Sequence, residues 1–402
     1  MKVDFIYRRL VAAVAGVLLP VSLASAFEPT DSAKRFIHHV GVDFRGAYVA
    51  PARKPVENTY YVAPPRDAGA SAHIKYSFSY PSGSREGRLY PGAYQGIGVG
   101  ATSFFDNSNT GMPVSAYLFQ GAPIVRLAPN LTFDYEWNFG VSFGWRKYRD
   151  DYRTPVNLIV GSPVNAYINL GFLLTYRIDR DWSLTAGVDL THYSNGNTSI
   201  PNPGVNSIGG RIGVTRTFDG DRALRTLADN YSPVSFRPHI SYDVVAYGAL
   251  RKKVVALNGF PEILPGHFGI AGLNFAPMYN FNRFLRAGVS LDVQYDESSN
   301  LSDHWVEGSV GESIKFYRPS FFSQVSWGVS ARGELVMPIF SINAGMGYNL
   351  IGNTDAKNFY QVLALKIHVA KSLYVHIGYQ LNSFKNPNNL MIGLGYRFHD
   401  KR

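Results

Sequence analysis

From Leu131 to Arg146 the chain alternates at every position. Leu131, Phe133, Tyr135, Trp137, Phe139, Val141, Phe143 and Trp145 take one parity; Thr132, Asp134, Glu136, Asn138, Gly140, Ser142, Gly144 and Arg146 take the other. Side chains two residues apart share a face of a β-strand, so this segment has one apolar face and one polar face. That apolar face runs longer than a sandwich core requires and suffices to cross a bilayer, for which a tilted strand needs about 9–11 residues. Beyond the N-terminus, no stretch reaches the roughly 18 continuous apolar residues of a membrane helix. The expected fold is all-β: a transmembrane up-and-down antiparallel β-barrel with a polar interior.

The same pattern recurs in about sixteen segments, near 36–50, 71–81, 92–105, 114–127, 131–147, 164–177, 182–195, 206–218, 236–250, 267–280, 284–297, 323–337, 340–351, 359–370, 372–382 and 389–398. Tight links at 128–130, 178–181, 282–283 and 370–371 mostly alternate with long ones at 51–70, 148–163, 251–266 and 298–322. Periplasmic turns and external loops alternate in this way in outer-membrane barrels, which puts the 196–205 loop outside. The link 219–235, with a short helical segment at 222–229, divides the strands eight and eight. One barrel of about sixteen strands is the expected arrangement, with two tandem 8-stranded barrels as the alternative. On the first reading 27–218 carries the site, 219–235 is a linker, and 236–402 supplies additional strands.

Residues 1–26 read as a secretory signal peptide, with Arg8 and Arg9 before an apolar run at 10–23 and a small-residue end, Ala24-Ser25-Ala26. The net charge of +10 is spread along the chain, which suits an anionic membrane surface and argues against nucleic acid. The absence of cysteine excludes disulfides and thiolate metal sites. His38 and His39 are neighbours on a strand and point to opposite faces, so a shared ion is not expected. Asp134, Glu136 and Asp189 fall on inward parity, as members of a polar lumen, whereas Trp137, Trp145, Tyr176 and Trp182 read as interfacial girdle residues.

One segment departs from the lipid-facing pattern. Trp182, Leu184, Ala186, Val188 and Leu190 form an apolar outward face, and His192 and Ser194 continue it. Two polar side chains facing lipid are costly without a function. After the hairpin, Asn206 shares parity with Ile208, Ile212, Val214 and Phe218, which brings it to the same outward face. A serine becomes nucleophilic when an imidazole takes its proton and a third group fixes the imidazole tautomer. The amides of Asn195 and Asn202 are candidate donors to a developing oxyanion.

The sequence His-Tyr-Ser-Asn at 192–195, with Pro-Asn-Pro-Gly following at 201–204, resembles the PagL family of outer-membrane lipid A 3-O-deacylases. The resemblance is sharp over 182–218 and architectural over about 30–218; residues 236–402 are expected to lie outside it. It implies an eight-stranded barrel whose site faces lipid near the outer leaflet. It assigns Ser194 as nucleophile, His192 as base, and Asn195 and Asn202 to the oxyanion. The family's histidine-orienting glutamate falls at Asn206. An asparagine carbonyl accepts the imidazole N–H but carries no full charge to stabilise imidazolium, so a slower enzyme is expected. The function implied is hydrolysis of an ester-linked acyl chain of lipid A in lipopolysaccharide, at the bacterial outer membrane and without a cofactor. The alternative is a porin-like channel or structural barrel with a degenerate site, since about sixteen strands would enclose an aqueous pore.

Overall fold

The computed structural model describes residues 36–50, 67–147, 160–200, 202–218, 235–257, 260–301, 305–306, 315–352, 358–382 and 386–400. The expected signal at 1–26 and the helical segment at 222–229 lie outside the described residues. All sixteen expected strands are present within a few residues of their anticipated bounds. They begin with β1 (Ile37–Ala50), β2 (Ala68–Ser79), β3 (Tyr94–Ser103), β4 (Gly111–Ala128), β5 (Leu131–Trp145), β6 (Val164–Arg177), β7 (Trp182–Ser194) and β8 (Val205–Thr217). The remainder of the chain gives β9 (His239–Arg251), the small hairpin β10 (Val254–Leu257) and β11 (Phe260–Ile263), then β12 (Phe268–Asn280) and β13 (Leu285–Asp296). A second small hairpin, β14 (Trp305–Val306) and β15 (Lys315–Phe316), precedes β16 (Val325–Val336), β17 (Phe340–Ile351), β18 (Phe359–His368), β19 (Leu373–Asn382) and β20 (Asn386–Phe398).

The expected single barrel is not what forms. β8 turns back onto β1 in a continuous antiparallel register from His39 opposite Thr217 to Ala50 opposite Asn206, which closes an N-terminal barrel of eight strands. β20 likewise pairs with β9, from Ile392 opposite Gly248 to Phe398 opposite Tyr242, and closes a C-terminal barrel of eight. Two tandem barrels are therefore the architecture.

The inward-facing charges give the physical reason. Eight strands leave an interior just wide enough for side chains to fill, so opposite charges on different walls reach one another. In the N-terminal lumen Arg211 binds Glu136 at 2.6 Å and Asp189 at 2.5 Å, while Lys75 binds Asp43 at 3.0 Å and Glu136 at 3.1 Å. In the C-terminal lumen Lys366 bridges Asp243 at 2.7 Å and Glu334 at 2.5 Å, and Arg397 joins the same two carboxylates. The pairs of Glu136 with Arg211 and Lys75, and of Asp243 with Lys366, each reach across three strands, and in a sixteen-stranded pore those walls would stand too far apart to pair.

The barrels lie side by side. Much of the outer wall of each carries exposed apolar residues, such as Phe44, Ile74, Val188 and Ile212 in one and Leu273, Val289 and Leu394 in the other. The facing walls do not. Trp137 of β5 is buried with Ile339, Phe340, Leu365, Ile367 and Ile377 of the C-terminal barrel, its indole against the ring of Phe340. Trp137 is thus an inter-barrel contact and not the girdle residue expected of it. Its Nε1–H donates to Gln120 at 2.6 Å, which satisfies the indole inside the seam. Near the β2–β3 link, Arg283 donates to the carbonyl of Arg88 at 3.1 Å, and Tyr90 donates to that of Arg283 at 3.3 Å.

Trp145 departs from the expected pattern for a different reason. Gly144 adopts φ +88° beside a register shift between β4 and β5. Met112 and Pro113 of β4 oppose this one left-handed glycine, which turns the next residue over, so Trp145 points into the lumen, where it packs on Phe104 and Tyr193 and donates to Ser142 at 2.8 Å. Tyr176 and Trp182 remain exposed on the outer wall.

Replacing the fully buried Arg211 by methionine would strip Glu136 and Asp189 of their shortest ion pairs. A loss of about 3–5 kcal/mol is expected, as for a buried pair broken on one side. Denaturant unfolding of the protein reconstituted in vesicles measures it; an unchanged transition for Arg211→Met contradicts the network.

Candidate active site

β7 and β8 are joined by the loop that carries the residues singled out above. His192 and Asn206 are direct cross-strand partners on the outward face, and the imidazole Nδ1 lies 2.7 Å from the Asn206 carboxamide oxygen. An amide oxygen only accepts, so Nδ1 carries the proton and Nε2 keeps its lone pair. This is the tautomer a general base requires. Among the described residues the imidazole's hydrogen bond is to Asn206 and not to Ser194.

Gly204 explains how histidine and serine come together. It holds φ +76°, and a Cβ there would lie 3.1 Å from His192 Cε1, 3.7 Å from Ser194 Cβ and 3.0 Å from the Tyr193 carbonyl oxygen. The imidazole edge and the serine therefore converge on a space that exists because residue 204 has no side chain.

The two asparagines divide their work. Asn202 accepts from the backbone N–H of Asn195 at 2.9 Å through its side-chain oxygen, and its Nδ2 donates to Asn197 at 3.1 Å. Its amide is committed to clamping the loop, which turns sharply through left-handed Gly196 and Asn197. Asn195 differs: its side-chain oxygen accepts from Ser199, and its Nδ2 is buried without a hydrogen-bond partner. An unpaired buried N–H beside a serine is an available donor.

The structure changes the surroundings expected of this site. Ser194 points outward from its own barrel but is only 4% exposed, because the C-terminal barrel covers it. A Cβ placed on Gly196 would meet Leu390 Cβ at 3.0 Å and Tyr379 Cε2 at 3.1 Å. Across the same seam the backbone N–H of Lys252 donates to the Asn197 carbonyl at 2.8 Å. The site thus opens onto an inter-barrel seam and not onto an open lipid-facing wall. Tyr379, whose hydroxyl-bearing end lies against the side chains of Ser194 and Asn202, was invisible to motif reading. Its signal was weak: a polar hydroxyl of the same parity as Val375 and Ile377, cross-strand from Leu390. Among the described residues no three His, Cys, Asp or Glu side chains converge on a common ion site.

Residues 72–215 match the family model described as lipid A 3-O-deacylase (PagL). The chain belongs to the PagL family. Residues 240–400 match a second model, acyloxyacyl hydrolase, C-terminal domain. The two take in most of the chain, and the second overturns the expectation that residues 236–402 lie outside the family. No curated protein matches. Among solved structures, the siderophore receptor PirA from Acinetobacter baumannii is 9% identical, with 85% of this chain and 68% of that one covered and a TM-score of 0.22. An outer membrane channel from Pseudomonas putida F1 is 12% identical over 92% of this chain and 98% of its own, with a TM-score of 0.19. Likenesses at this level carry no argument.

Gly204→Ala tests the geometry apart from any reaction. The added methyl forces a left-handed alanine, costing about 1–2 kcal/mol, and pushes on the imidazole. A lower unfolding midpoint and a shifted His192 imidazole nitrogen resonance are expected; an unperturbed resonance would show that Gly204 does not shape the His192 pocket.

Proposed function

We propose that this PagL-family protein is an outer-membrane serine esterase that removes an ester-linked acyl chain from the lipid A part of lipopolysaccharide. The observation that carries the reading is the His192–Asn206 pair at 2.7 Å beside Ser194, on the outward wall and inside the segment that matches the deacylase family. His192 Nε2 takes the proton of Ser194 as its Oγ bonds to the acyl carbonyl carbon. The carbonyl π pair moves to oxygen, and Asn195 Nδ2 donates to the oxyanion. Collapse breaks the ester C–O bond, and the sugar alkoxide leaves with the proton from His192. Water then attacks the acyl-serine with His192 again as base, releasing the fatty acid and restoring Ser194. Asn206 holds the imidazole throughout. Asn202 acts on the oxyanion indirectly, by fixing the backbone of Asn195.

The wall supports the location: exposed Leu184, Val188, Leu190, Ile208 and Ile212 surround the site's own strands with an apolar surface. An outer-leaflet substrate reaches such a site laterally, without entering a lumen. The channel reading loses its basis with the wide barrel. The N-terminal lumen holds a cavity of about 230 Å³ that includes His39, Thr132, Asp134 and Arg177 in its lining and also touches Lys75 and Glu136. Beyond it the interior is filled by Arg45, His73, Tyr117, Tyr167 and Tyr193.

Mass spectrometry of lipid A after incubation with the purified protein tests the reaction. Ser194→Ala and His192→Ala should each abolish acyl loss with the barrels intact. Asn206→Ala should slow it. Asn206→Glu should accelerate it by roughly 10- to 1000-fold, as a carboxylate stabilises the imidazolium. Acyl release that persists in Ser194→Ala would refute the nucleophile.

A further inference from the structure

We propose that the oxyanion site of Ser194 is completed across the seam by the Tyr379 hydroxyl, so that the C-terminal barrel supplies a catalytic residue to the N-terminal one. The inference rests on the esterase reading above and adds a residue that neither the sequence motif nor the family match assigns. Tyr379 sits on β19 and faces out of its own barrel, as its cross-strand partner Leu390 does. That face is turned onto the β7–β8 loop, where Tyr379 Cε2 lies 3.1 Å from the position a Cβ of Gly196 would take. Its hydroxyl end reaches the side chains of Ser194 and Asn202, and no hydrogen bond of ordinary geometry closes there.

Two buried donors consequently meet at the β7–β8 loop without a well-formed hydrogen bond, Asn195 Nδ2 from one barrel and Tyr379 Oη from the other. Natural structures rarely leave buried donors unpaired, and a pair left so beside a nucleophile matches a site whose acceptor arrives with the substrate. The acceptor is the carbonyl oxygen of the acyl ester, which becomes the oxyanion. A loop-clamping role is already filled by Asn202 and Asn197, and packing alone would be served as well by phenylalanine. Gly196 fits the same account, since any side chain there would press on Tyr379 and Leu390.

The test is Tyr379→Phe in the full-length protein, in vesicles containing lipopolysaccharide, with Tyr396→Phe as the control on the exposed wall of the same barrel. Tyr379→Phe should lower kcat roughly 100- to 1000-fold with KM little changed, the cost of removing one oxyanion donor. It should also slow covalent labelling of Ser194 by an alkyl fluorophosphonate, whose adduct places a phosphoryl oxygen in the same hole. Tyr396→Phe should alter neither. A parental kcat and labelling rate in Tyr379→Phe, with Ser194→Ala inactive, overturns the proposal while the esterase reading stands. A faster Tyr379→Phe also overturns it, since the phenol would then be a lid. An unmodified chain that releases no acyl group and takes no label removes both.

Discussion

Each strand of the two barrels must find a backbone partner on both sides, because an unpaired N–H or C=O in hydrocarbon costs several kcal/mol and a sheet edge presents a row of them. The pairing of β8 with β1 meets that requirement after eight strands, and the pairing of β20 with β9 meets it again. Much else follows from closing early. A narrow lumen forces Arg211, Glu136, Asp189 and Lys75 into mutual contact, and their pairing makes the closed interior tolerable. Beyond a cavity of about 230 Å³ the N-terminal lumen is filled by side chains, so the proposed chemistry on a membrane ester falls to the outer wall.

Two closed barrels in one chain also create a surface that neither has alone. Gln120, Trp137, Leu365 and Ile367 face outward from their own barrels and are buried all the same, because each wall serves as solvent for the other. Polar groups that would be intolerable in lipid become satisfiable there, as the Trp137 to Gln120 bond shows. The seam reaches the β7–β8 loop at Gly196, which is why a serine on an outward strand face ends up enclosed.

The strands were legible in the sequence because period-two patterning is a local property, written in each segment separately. So were the outward face of His192 and Ser194 and the arrival of Asn206 beside the imidazole, which need only the hairpin register. Closure was not legible: alternation assigns Val214 and Phe44 to faces but does not say that β8 lies against β1. The inversion of Trp145 was hidden for a related reason, since one left-handed glycine at 144 turns the strand's last residue over without altering the pattern before it. Tyr379 was hidden most deeply. Its role depends on a neighbour nearly two hundred positions away in sequence, and a tyrosine on an outward face ordinarily marks nothing more than an interface girdle.

Asn206 itself stays exposed on the outward wall, while the serine two residues beyond its histidine is enclosed. An orienting carboxylate would stabilise imidazolium by charge, and Asn206 offers a dipole instead. In an open site facing water or headgroups the loss would be large. Ser194 and Asn195 are enclosed beneath the second barrel, where the local dielectric is lower, so dipoles aimed at the oxyanion act with less screening and need no reorganisation as charge develops. A neutral acceptor that fixes the tautomer, combined with donors drawn from both barrels, shifts stabilisation from the imidazolium to the oxyanion. On this account the C-terminal barrel supplies at the oxyanion part of the stabilisation that a neutral residue 206 does not supply to the imidazolium.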